Sequence, residues 1–385
     1  MSNSDQPELL PSRRPEHPGK RLKQLLEAKG WSREELAAVT GYRRQTISQV
    51  VAGRSGVTPD MAARLAAAFG NEPSEWLQWD ADYQLSLLEP ESAATVGRTA
   101  RLYELAPVRE MEKRGWIKET KTPGELEDQL TVFFGRPLSE GVAFPVAMLK
   151  SDPLSGLTTS ERAWCFRARQ LAEALTFIAE FDRSRLKAAE KKLRQLAAYP
   201  KEAERLPEIL AYYGIRFVVV EPLPGAKIDG AAFWIDDSPV IAISARWDRI
   251  DTFWFTVMHE FMHIKNMDAY SVDVNLVVDS DNGITITASC DAAEELANAQ
   301  AADALVPADE LQSFIARTSP YYASTKIIQF ANRIKMHPGI IIGQLQHRGE
   351  LRYSSHRGFL VKVRKYIVET AVTDGWGRSL SPSAF

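Results

Sequence analysis

His259, Glu260 and His263 stand in the order His-Glu-Phe-Met-His, a spacing that can support metal-assisted hydrolysis. Residues four apart in a helix share a face, so the two imidazoles can bind one cation together. Glu260, beside the first of them, can reach a water at that cation and act as its general base. The alternative is a chance match in a core helix, since Phe253 to Met258 is mostly apolar and bulky. A catalytic zinc takes three protein ligands and keeps a fourth position for water, so a third ligand is sought downstream. Residues 294–307 predict one alanine-rich helix stopped by Pro307, with Glu294, Ala297, Asn298 and Ala301 on one stripe. Those small residues would let the helix pack closely on the HExxH helix and bring in the Glu294 carboxylate. Glu294 and Glu295 could equally be a solvated pair favoured by the helix dipole.

A second set of side chains lies near the N-terminus. Gly19 to Leu26 predicts a basic amphipathic helix, and Ser32-Arg33-Glu34-Glu35 is a capping box opening the next. Gly41 breaks the chain, and Arg43 to Val51 forms a third helix. Helix, short Gly-containing turn and helix is the helix-turn-helix pattern. Its recognition helix would direct Arg43, Arg44, Gln45, Thr46 and Gln49 to a major groove. There Arg and Gln can pair with guanine and adenine edges, and Thr can approach a thymine methyl. Val39, Ile47, Val50 and Val51 are expected in the core, and Thr58 caps a fourth helix with Pro59 at its first position. From His17 to Arg64 there are nine Lys/Arg against four Asp/Glu, a net +5, whereas the whole chain is −3. A local basic surface suits phosphate contact, although a helical bundle with a basic face has the same balance.

Two resemblances follow from these residues. The run from Tyr213 to Pro307 resembles the ImmA/IrrE-type zinc metallopeptidases. It has a short strand pair, the polar approach Trp247 to Thr252 leading into Phe253, and the HExxH helix. A helix of the form E-x-x-A-N-x-x-A-x-x-x-L-x-P then begins at Glu294. The resemblance implies His259, His263 and Glu294 as zinc ligands, Glu260 as the base, and a helix-turn-helix repressor as the protein substrate. Gln300 departs from the pattern, which usually has an aromatic there, and Glu295 is the competing ligand if the register shifts by one. The segment from His17-Pro18-Gly19 to Trp76-Leu77 resembles the Xre-type helix-turn-helix of HigA antitoxins. It matches at Ile47-Ser48-Gln49-Val50 and Val57-Thr58-Pro59 as well. That resemblance implies binding to a double-stranded DNA operator, commonly as a homodimer.

At 385 residues the chain exceeds one small core. The expected fold class is α+β and mostly helical: an all-α helix-turn-helix domain, a helical linker and a zincin-like metallopeptidase domain with a small sheet. Boundaries are placed at 1–16 for a disordered arm, 17–80 for the helix-turn-helix domain and 81–198 for a helical connecting region. The metallopeptidase domain is placed at 199–350 and a C-terminal extension at 351–385. Within the connecting region Ala94 to Gly115 carries apolar residues at helical spacing, Glu125 to Phe134 is a short helix ended by Gly135, and Glu161 to Ala198 has long helical periodicity. Ile215–Val220, Ala231–Ile235 and Val240–Ser244 predict strands. No run of about eighteen apolar residues exists, so no membrane partner is expected. With Cys165 and Cys290 alone and no secretory h-region, the expected location is cytoplasmic.

The main expectation is a DNA-binding regulator with a zinc-dependent endopeptidase domain that cuts a repressor, in trans or within its own exposed Ser151–Thr159 stretch. The alternative is an antitoxin-type repressor whose peptidase-like domain is a sensor or dimerisation scaffold. A metal-dependent nuclease is disfavoured, because nuclease metals usually sit among carboxylates.

Overall fold

The computed structural model describes residues 15–88, 90–135, 138, 157–176, 179–267, 272–273, 276–279, 283–286 and 292–374. Most of the expected arm, the 151–156 part of the proposed cleavage stretch and Cys290 lie outside them. The chain divides into two compact units, Met1–Thr99 and Ala100–Phe385. It is mostly helical with a small mixed sheet.

The first unit is a helical bundle of α1 (Pro18–Lys29), α2 (Arg33–Thr40), α3 (Arg44–Val51), α4 (Pro59–Phe69) and α5 (Pro73–Leu87). Its ends are written in the sequence. Ser32 and Glu35 form the reciprocal capping box of α2, Thr58 caps α4, and Pro18, Pro59 and Pro73 open their helices. Leu22, Leu36, Ile47, Val50, Leu65 and Trp76 form its core. The Trp76 indole satisfies its own N–H by donating to Asn71 Oδ1 at 3.0 Å. Val39 departs from expectation, with 56% of its surface exposed. The buried stripe of α2 is centred on Leu36, Ala37 and Thr40, and Val39 falls beside it.

Helix α6 (Pro90–Leu105) carries the boundary between the units. The expected continuous helix over 94–115 is broken: Pro107 separates α6 from α7 (Val108–Lys113). Next come α8 (Pro123–Phe134) and α9 (Thr159–Glu173), both opened by capping boxes. The long periodicity of 161–198 is also two helices, α9 and α10 (Leu186–Leu196), followed by α11 (Leu206–Tyr212).

Strands β1 (Arg216–Val219), β2 (Gly230–Ile235) and β3 (Ser238–Ile243) lie where the β-rich runs predict them. They precede α12 (Ile250–Asn266), β4 (Val272–Asp273) and the hairpin of β5 (Leu276–Asp279) and β6 (Gly283–Ile286). Then follow α13 (Ala292–Leu305), α14 (Ala308–Thr318), α15 (Ser324–Ile334), α16 (Pro338–His347), α17 (Arg364–Val368) and β7 (Val372–Thr373). The main sheet has the order β4-β2-β3-β1-β7. β1 runs parallel to β3 and β7, and β2 is antiparallel to β3 and β4.

The sheet is apolar on both faces, so both must be covered. Phe217, Val219, Ile241 and Ile243 join the core containing α12 and α13. Val218, Val220, Val240 and Ala242 join a second core with Leu130, Phe134, Trp164 and Phe166. The helices expected as a linker are therefore one layer of the larger unit. Trp164 Nε1 donates to the Val220 carbonyl at 2.9 Å, and Arg114 donates to the carbonyls of Glu221 and Pro222 at 2.7 and 2.8 Å. Residues 351–374 are likewise built in. Val363 and Arg364 amides donate to Asp248 Oδ1 at 2.9 and 2.8 Å, and the Ile250 amide donates to the Val361 carbonyl at 3.0 Å.

Candidate metal centre and nucleic-acid interface

Helix α12 is buried at 14 of its 17 residues. Its apolar side chains, Trp254 and Phe261 among them, anchor it in the core, each stabilising by about 1.5–3 kcal/mol on burial. Its start is fixed by Arg249, whose guanidinium pairs with buried Asp251 at 2.7 and 3.2 Å. This packing holds His259, Glu260 and His263 fully out of solvent.

The one-turn spacing brings the imidazoles together, with ring centroids 4.7 Å apart and Nε2 atoms 3.0 Å apart. Glu294, near the start of α13, completes the group. Its Oε2 lies 3.1 Å from His259 Nε2 and its Oε1 lies 3.4 Å from His263 Nε2. One ligand atom from each of the three residues falls within 4.8 Å of the others. Burial by itself raises the Glu294 carboxyl, but the hydrogen bonds and charges of His259 and His263 outweigh it and hold the group below the usual carboxylate range.

The approach of α13 depends on Ala297 and Ala301, both fully buried. Gln300 makes the polar counterpart of that contact, accepting from Asn266 Nδ2 at 2.9 Å. Glu295 is exposed, so Glu294 is the carboxylate facing the imidazoles. Two imidazole nitrogens and one carboxylate form a donor set that zinc accepts while leaving a position for water. The residues therefore fit the metal that the resemblance implies.

Gly230 is a site residue that the sequence reading passes over. A Cβ there would collide with Glu260 Oε1 and lie 2.9 Å from Thr256 Cγ2, so β2 and α12 approach closely only because this position is glycine. The available signal was a glycine at a strand start, which often marks close backbone approach. His337 is a capping residue, accepting from the Gly339 amide at 3.1 Å, and His356 Nδ1 lies 3.3 Å from Ser324 Oγ. Neither belongs to the cluster.

In the first unit, Gly41 ends α2 in the left-handed conformation and Arg43 is the N-cap of α3. The turn is clamped from α4: Tyr42 donates to Asp60 at 2.5 Å, and Arg64 donates to the Thr40 carbonyl at 3.0 Å. Ile47 and Val50 point into the core. Arg43, Arg44, Gln45 and Gln49 are exposed and Thr46 is half-buried. Arg44 pairs with Glu34 at 2.5 Å, both side chains being solvent-facing. Gly19 permits α1 to reach α3, because a Cβ there would strike the Val50 carbonyl.

Comparison with known proteins adds a family to this geometry. The helix-turn-helix family description matches residues 22–77. Virulence-associated protein A' of Dichelobacter nodosus is 34% identical over 83 residues, covering 21% of this chain and 72% of that protein. An uncharacterized HTH-type transcriptional regulator of Escherichia coli (strain K12), YddM, is 31% identical over 22% of this chain and 88% of its own length. Among solved structures, the HigA-family addiction module antidote protein from Coxiella burnetii is 28% identical, covering 22% of this chain and 95% of its own, with a TM-score of 0.21. Through its N-terminal segment, the chain belongs to the helix-turn-helix family.

Proposed function

We propose that this chain is a DNA-binding transcriptional regulator that carries a zinc-dependent endopeptidase. Its substrate would be a helix-turn-helix repressor, another chain or its own, cut in a stress or mobile-element response. The observation that carries the enzymatic part is the meeting of His259, His263 and Glu294 on one point, with Glu260 buried next to the first ligand. The DNA-binding part rests on family membership and on the exposed Arg43, Arg44, Gln45 and Gln49 of α3. Operator binding as a homodimer belongs to the same proposal.

His259, His263 and Glu294 would hold the metal. Zinc bound there supplies Lewis-acid polarisation of a peptide carbonyl and acidifies water towards neutrality. Glu260 accepts the proton of the attacking water and returns it to the leaving amine, so one carboxylate serves both halves of the hydrolysis. Burial of Glu260 and both imidazoles keeps bulk water from competing for these positions. Glu294, anchored on a separate helix, holds the two imidazoles in one orientation.

The second reading, an antitoxin-type repressor whose larger unit is a non-catalytic sensor or dimerisation scaffold, is favoured by the regulator named among the relatives. Glu260→Gln separates the two. The variant should keep about one zinc per chain and unchanged DNA binding, and should lose chelator-sensitive cleavage of repressors encoded beside it, followed by mass spectrometry. Identical cleavage patterns for both chains, or none from either across the repressors tested, would leave the scaffold reading standing.

A further inference from the structure

Three side chains of α12 form a buried polar row. Thr252, Thr256 and Glu260 are spaced by four, so they share one face, and they are 5%, 4% and 0% exposed. At the N-terminal end of this row lies a pocket of about 220 Å³, lined by Asp229, Ser244, Arg246, Trp247, Thr252 and Thr256 among others. Thr256 connects pocket and centre, because both it and Glu260 crowd Gly230. At 1.5 Å of rise per residue, Thr256 lies about 6 Å along the helix from Glu260, the span of roughly two residues of an extended peptide.

The lining has a defined chemistry. Asp229 and Arg246 neutralise each other through paired hydrogen bonds of 3.0 and 2.8 Å. Arg246 also stacks over the Trp247 ring, 5.2 Å from its centroid. Two polar atoms in this wall are buried with no hydrogen-bond partner: Trp247 Nε1, a donor, and Thr252 Oγ1, a donor and acceptor. Buried groups of this kind are costly unless something satisfies them. A charged group entering here would lose its hydration with both wall charges already spent. An aliphatic group would leave both atoms as they are.

We infer that this pocket is a subsite for a short, uncharged, hydrogen-bonding side chain (Ser, Thr or Asn) of the peptide substrate, close to the scissile bond. The inference rests on the peptidase reading for its biological meaning, but it is testable by binding alone. The full chain is labelled with ¹⁵N-tryptophan, and the Trp247 indole signal is assigned by its loss in Trp247→Phe. N-acetyl-asparaginamide and N-acetyl-serinamide should shift that signal saturably. N-acetyl-valinamide and N-acetyl-lysinamide should not. Thr252→Val should weaken the asparaginamide about three- to tenfold, the worth of one hydrogen bond, and Thr252→Ser should restore it. An unmoved Trp247 signal, or equal shifts from the valine and asparagine amides, overturns the subsite even if cleavage is found. Saturable shifts in a chain that cuts nothing would support the subsite and count against the peptidase.

Discussion

Arg44 and Gln45 stand on the solvent side of α3, opposite Ile47 and Val50, which anchor the helix. The exposed ion pair between Arg44 and Glu34 contributes little to stability, so the guanidinium is available at small cost to another acceptor. Arg44→Ala and Gln45→Ala should each weaken specific operator binding by about 1–3 kcal/mol without lowering the melting temperature. Equal affinity for operator and unrelated duplex in titrations of both variants would remove α3 as the reading element. Cys165 is predicted by the opposite circumstance. Burial, followed by the charges of Glu161 and Glu260, pushes its thiol well above the ordinary range. Iodoacetamide at pH 8 should leave Cys165 unmodified in the native chain and alkylate it after denaturation, as read from its peptide by mass spectrometry. At this scale the sequence was legible wherever chemistry follows local spacing. His259, Glu260 and His263 are one helical turn, and the alanine stripe of α13 marks which carboxylate follows. Thr252, Trp247 and Gly230 were not legible, because their roles come from which strand happens to lie over α12.

Elements follow the same division. Capping boxes and the Pro107 break are local events that residues announce. The interruption between α9 and α10 is not local. Arg216, on β1, donates to the carbonyls of Ala172 and Leu175 at 2.7 and 2.6 Å, and Asp182 then caps a new turn through the Ser184 amide. A helix whose last carbonyls are taken by a distant arginine ends there, whatever its own periodicity says. Gly230 tests the most consequential contact between elements. Gly230→Ala should lower stability by about 1–3 kcal/mol, the usual cost of overpacking, and should displace Glu260. Gly124→Ala, where the added methyl meets nothing within 4 Å, is the control. Chemical denaturation that ranks the two variants equally would mean that the β2–α12 seam yields without cost.

For the whole molecule, a ligand joining α12 to α13 should stabilise the larger unit as one body. Zinc at about a hundredfold excess over its Kd should add about 2.7 kcal/mol, or roughly 5–10 °C in its calorimetric transition. The increment should vanish with EDTA and in His263→Ala. A transition indifferent to zinc would mean that the three side chains serve each other and not a cation. The division into two units was partly legible: a basic helical segment of +5 within a chain of −3 announces the first. The extent of the second was hidden, since helical periodicity reveals a buried face without naming the surface that buries it. Leu130, Trp164 and Phe166 find theirs on the far side of the sheet.

The last described strand has a practical consequence. β7 pairs with β1 at the sheet margin, and Asp374 Oδ1 accepts from the Glu221 amide at 3.0 Å. Trimming the gene after codon 350 would strip that border and leave β1 with bare amides and carbonyls, a template for sticking to neighbouring molecules. It would also remove the Arg364 guanidinium that donates to the carbonyls of Ala245 and Arg246 at 2.7 Å. Shortened versions should therefore collect in inclusion bodies, while those retaining codon 374 stay in the supernatant.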